Sequence, residues 1–122
     1  MSISDLNGAL VNAERTLAHW EQIYPGIIRA EANAKVQYEV AWADAVTLIT
    51  GRVVEGQKQP TVAVLEAEAT RICADKIKAK RLAEAEAEIA KKLIGIAETT
   101  LTSIQTRASL ERIEAGVSGY RT

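Results

Sequence analysis

The sequence predicts an all-α fold, a long antiparallel helical hairpin with a kink or break at Pro25, whose arms pair further into a bundle. Three observations predict it. Apolar residues recur at strides of three and four over most of the chain. Alanine and other strong helix formers dominate, with no Phe and 4% aromatics. The strongest breakers sit together in the middle, at Gly51, Gly56 and Pro60.

The first arm is read over about residues 4–50. From Ile3, alternating strides of three and four reach Leu6, Leu10, Ala13, Leu17, Trp20, Tyr24, Ile27, Glu31, Ala34, Tyr38, Ala41, Ala45 and Leu48. Every position except Glu31 is apolar or aromatic, the seam of a helix facing a partner helix. Period-two alternation is nowhere sustained, so strands are not predicted. Pro25 lies inside this pattern, where proline deletes a backbone hydrogen bond and clashes with the carbonyl four residues back, at about 3 kcal/mol. Because the heptad phase passes through Pro25 unshifted, the favoured reading is a kinked but near-continuous helix. The alternative is a break that folds the N-terminal arm back into a three-helix bundle.

Residues 51–60 form the turn. Gly51 suits the left-handed conformation that ends many helices, and Pro60 suits the start of the next. The tip residues Arg52, Val53, Val54, Glu55 and Lys58 are a candidate contact point at the end of a rod.

The second arm is read over about residues 61–116 as one uninterrupted helix. Its stripe is Ala69, Cys73, Ala83, Ala87, Ala90, Ile94, Ala97, Leu101, Ile104 and Ala108, with Lys76 and Lys80 as exceptions. Gly116 and Gly119 are expected to end it, leaving a loose tail at Tyr120–Thr122. The whole chain, 1–122, reads as a single helical-hairpin domain.

Both arms carry more apolar residues than one seam needs. Ile28, Val36, Val40, Val46 and Ile49 lie off the first stripe, and Ile77, Leu82, Ile89, Leu93, Ile96, Leu110 and Ile113 off the second. Such faces mark interfaces. Val36, Val40, Leu82, Ile89, Leu93 and Ile96 are therefore the candidate oligomer interface, and a homodimer is preferred because twofold pairing leaves the heptad phase intact.

Little in the sequence speaks for catalysis. His19 is the only histidine and stands about fifty positions from Cys73, the only cysteine, so no nucleophile–base pair is legible and no disulfide can form within the chain. Glu84, Glu86 and Glu88 alternate around a helix and read as a solvated face. No glycine-rich phosphate loop is present. The chain is expected to be a non-enzyme, with no cofactor and no metal. With a net charge of −1, no bulk field draws it to nucleic acid or to anionic membranes. Arg71, Lys76, Lys78, Lys80 and Arg81 are nonetheless a candidate contact for an anionic partner, without the interleaved aromatics that stack bases. Trp20, Trp42, Tyr24 and Tyr38 are core candidates, and Trp42, beside the stripe, is also a candidate interface anchor. No transmembrane span or signal peptide is read, and the chain is expected in the cytoplasm.

The Ala/Glu-rich stretch Leu65-Glu-Ala-Glu-Ala69, following a Gly/Lys/Pro loop, and Leu101-Thr-Ser-Ile-Gln-Thr-Arg107 resemble small helical-hairpin coiled-coil proteins of tailed phages and prophages. The likeness covers about half the chain and implies a phage accessory or host-enzyme inhibitor in the host cytoplasm. It carries over no catalytic residue. The Trp-x-Gly turn of secreted WXG-type hairpins is missing, and the central loop is too short for prefoldin-like strands. The function expected from these readings is a homo-oligomeric module that binds a protein partner. The alternatives are a nucleic-acid-binding accessory of phage DNA metabolism and a structural scaffold or spacer.

Overall fold

The computed structural model describes residues 2–52 and 58–120. Among them there are three helices and no strand: α1 (Ile3–Gly51), α2 (Val62–Ile72) and α3 (Ala74–Tyr120). The turn residues 53–57 and the tail residues Arg121 and Thr122 lie outside the described residues. The all-α class predicted from the sequence is what the chain adopts.

Helix α1 starts at a cap the periodicity does not register. The Ser2 hydroxyl accepts the Asp5 backbone N–H at 3.1 Å, while the Asp5 carboxylate accepts the Ser2 N–H at 3.2 Å and the Ser2 hydroxyl at 2.8 Å. This reciprocal box occupies donors that the first turn of a helix leaves without partners. The helix then runs through Pro25 without interruption, so the break alternative does not hold. Pro25 and Glu21, whose carbonyl loses its helical donor, are both exposed, so the lost hydrogen bond is not buried in the core. Gly51 is the last helical residue and takes no left-handed φ. The chain instead closes with Arg52 N–H donating to the Ile49 carbonyl at 3.2 Å.

Helix α2 is capped by Thr61, extended at φ −63° and ψ 158°, whose hydroxyl accepts the Val64 N–H at 3.3 Å. Pro60 stands just before it. The second arm is not one helix. Cys73, at φ −92° and ψ 11°, separates α2 from α3. The Cys73 N–H still donates to the Ala69 carbonyl and the Ile77 N–H to the Cys73 carbonyl, each at 2.9 Å, so the four-residue ladder spans the interruption. No glycine or proline marks the place, which is why composition does not show it. At the other end α3 continues through Gly116 to Tyr120. A glycine weakens a helix by about 1 kcal/mol, too little alone to stop a 47-residue one.

Contacts divide the chain into two compact units, one of Met1–Pro25 with Ile89–Thr122 and one of Gly26–Glu88. In the second unit, α1 runs antiparallel to α2 and the start of α3: Arg52 bonds Glu68, while Gln37 accepts from Lys76 at 3.4 Å. Its core is Ala45, Ile49, Ala69 and Cys73, with Ala41, Trp42, Leu65 and Ile77 packed against it. The sequence stripe drifts here. Leu48 is 48% exposed and Ile49 is 4% exposed. A strict heptad slips by about 20° per repeat on a straight helix, so six repeats accumulate about 120°, close to one residue. In the second arm Ile77, not Lys76, packs against this core just after the interruption at Cys73, and the stripe returns to its phase by Ala83, Ala87 and Ala90. In the first unit the buried residues are Leu6 and Ala13 from α1 and Ala90, Ala97 and Ala108 from α3.

Candidate interaction surfaces

The fully buried positions are mostly small residues, while many large apolar side chains are half-buried or exposed. Among the described residues ten apolar side chains are buried, and seven of them are alanine. Fourteen Val, Leu and Ile side chains are exposed, against a buried pair of Leu6 and Ile49. Alanine at the seam lets two helices approach closely, at the low end of the 8–10 Å range of interaxial distance. The consequence is a thin core, since burial stabilises in proportion to apolar area.

All six residues of the candidate oligomer interface are exposed. In the second unit, Val36 and Val40 lie one turn apart on α1, about 180° and about 140° round the helix from the buried Ala45. Leu82 is likewise turned from the core on α3. In the first unit, Ile89, Leu93 and Ile96 line one side of α3 at spacings of four and three. The structure adds a feature the sequence did not reveal, a groove of about 200 Å³ between α1 and α3. Ala13, Thr16 and Trp20 line it from one helix, and Leu93, Ile96, Ala97 and Thr100 from the other. Its discovery needs the relative rotation of two helices, which no single-helix periodicity contains.

The basic cluster is largely spent inside its own unit. Lys76 donates to Gln37. Lys80 lies over the Tyr38 ring, 4.8 Å from its centroid, and pairs with Glu84 at 3.5 Å. Arg71 is 3.8 Å from Glu68, which also holds Arg52 at 3.1 Å. Lys78 and Arg81 are exposed and line, with Thr70, Ala74, Leu82 and the half-buried Ile77, a second open groove of about 560 Å³.

Trp42 is half-buried and packs against the core of the second unit, with Tyr38 5.9 Å away between ring centroids. His19 and Trp20 meet edge to face at 5.8 Å in the first unit. Cys73 is a free, buried thiol. Among the described residues, no three His, Cys, Asp or Glu side chains gather in a way that could hold a metal ion, and no helix is long and apolar enough to cross a membrane. Compared with models of protein families, with curated proteins and with solved structures, the chain matches none.

Proposed function

We propose that this chain is a non-enzymatic interaction module, a homo-oligomeric helical protein that presents apolar rows to a protein partner. The observation that carries this reading is that the fully buried positions are mostly alanine while fourteen Val, Leu and Ile side chains stay exposed among the described residues, several of them in rows. Scattered exposed apolar residues are ordinary on any protein. Rows at helical spacing, such as Ile89, Leu93 and Ile96, form continuous strips suited to another helix.

Nucleic-acid binding is the weaker reading. Three of the five basic residues that would contact phosphates make hydrogen-bond, ion-pair or ring contacts within their own unit, leaving Lys78 and Arg81 to act alone. Phosphate binding gains with the number of cations that release counterions, so two give weak affinity with only a shallow salt dependence.

The test is the solution mass by light scattering across a wide concentration range, with and without single-stranded DNA. A stable oligomer indifferent to DNA agrees with the proposal. A monomer at all concentrations, or a mass that shifts only when DNA is added, refutes it.

A further inference from the structure

Along α3 the charges change sign in order. Lys76, Lys78, Lys80 and Arg81 are followed directly by Glu84, Glu86 and Glu88. The fold engages part of both blocks, since Lys76 donates to Gln37 while Lys80 pairs with Glu84 and meets the Tyr38 ring. The outer side of the helix keeps the same order. Lys78, Leu82 and Ala85 are exposed and lie about 140–180° round α3 from the buried Ala87. Arg81 and Glu88, also exposed, stand seven residues apart and within about 20° of each other, so they share one edge of that strip. All of these residues belong to the second unit.

We infer that this strip, Lys78, Arg81, Leu82, Ala85 and Glu88, seats the same strip of a second copy of the chain running antiparallel to it. The inference rests on the homo-oligomeric reading above and names its surface. The order of charges selects both the occupant and its direction. A strip that is positive at its N-terminal end and negative at its C-terminal end matches itself when it is reversed. With Leu82 set over Ala85 of the other copy, a twofold axis brings each Arg81 beside the other copy's Glu88 and makes two equivalent ion pairs along one edge. A parallel copy would set Lys78 against Lys78 on the midline of the strip, a like-charge contact. The antiparallel copy carries the two lysines to opposite ends. Leu82, 59% exposed, supplies apolar area, and the small Ala85 leaves room for it. Exposed ion pairs add little strength, so the charges fix direction and register.

The experiment uses the full chain, with mass from light scattering over a wide concentration range and helicity from circular dichroism. Wild type is expected to reach twice the 13.2 kDa chain mass. Arg81→Glu and Glu88→Lys, each alone, are expected to weaken the pair about 10-fold or more, because attraction becomes repulsion at both ion pairs. The double variant carrying both substitutions, and an equimolar mixture of the two single variants, should recover the wild-type mass. Recovery separates pairing from folding. The two residues stand about 10 Å apart along one helix, so neither substitution repairs a loss of helicity caused by the other. Single variants that pair like wild type, or a double variant that does not recover, overturn this strip but leave the homo-oligomeric reading standing. Weakening by Arg81→Glu without weakening by Glu88→Lys overturns it as well, since Arg81 then faces some other partner. A wild-type monomer at every concentration removes both.

Discussion

The Lys80 ammonium lies over the face of the Tyr38 ring, 4.8 Å from its centroid, and so ties the start of α3 to the middle of α1. The lysine occupies a stripe position that charge alone would exclude. Its aliphatic stem covers apolar surface while the cation meets the ring's negative face, with Glu84 at 3.5 Å on its other side. A double-mutant cycle with Lys80→Met and Tyr38→Leu, read by urea unfolding, is expected to return a coupling of about 0.5–1 kcal/mol. Additive losses would show that the ring and the cation do not interact.

Pro25 removes the N–H that the Glu21 carbonyl would otherwise receive. Pro25→Ala is expected to raise the unfolding free energy by about 1–3 kcal/mol, less than the full proline penalty because the unfolded chain also gains freedom. Thermal unfolding followed by circular dichroism reads the change. A lower melting temperature would mean that the proline ring itself contributes packing at this position.

In the second unit Ala69 is fully buried between the helices, next to Ile49. Ala69→Leu should force the helices apart and cost about 1–3 kcal/mol. Ile49→Ala should cost about 2–5 kcal/mol by leaving a cavity. The matching substitution at Leu48, exposed beside it, should cost far less. Denaturant titration of the three variants checks the phase of α1 directly, and a larger loss at Leu48 than at Ile49 would contradict it.

Nothing lies within 4 Å of where a Cβ at Gly95 would be. Gly95→Ala is expected to stabilise the helix by about 0.5–1 kcal/mol, since alanine restricts the unfolded chain and fits the folded one. A rise in melting temperature with unchanged solution mass is the expected pair of results. A fall in either would indicate that another chain packs against the bare backbone at Gly95.

Asp5 accepts hydrogen bonds from the Ser2 hydroxyl and backbone, which hold its carboxyl below the ordinary value of 3.8. A depressed carboxyl contributes to folding above the ordinary value, and the contribution is lost as pH falls through the lowered one. Amide signals of the first turn of α1 should therefore broaden or shift only below about pH 4, and Ser2→Ala should move the Asp5 titration upward. An NMR titration of Asp5 unchanged by that substitution would dispose of the cap.

Much of the fold is legible in residue order because helix formation is local. The stripe from Leu6 to Ala45 needs only strides of three and four, and Pro60 with Thr61 announces the second arm by turn and cap chemistry. The break at Cys73 is not legible, because a backbone departure at a residue with ordinary helix propensity has no compositional mark. Exposure of Leu48 in place of Ile49 escapes for a different reason, since a small drift per heptad becomes decisive only after many repeats.

The sequence by itself determined the helices, the alanine seam and the surplus of large apolar residues, all of which follow from periodicity and propensity along one chain. Only the tertiary structure decided which side of that surplus is a groove, and which cations are already held. Lys80 is placed over Tyr38 and Lys76 against Gln37 by contacts across about forty residues. The groove of the first unit likewise arises from the rotation of α1 against α3. That rotation is set by how side chains of two distant segments pack, and neither segment contains it alone.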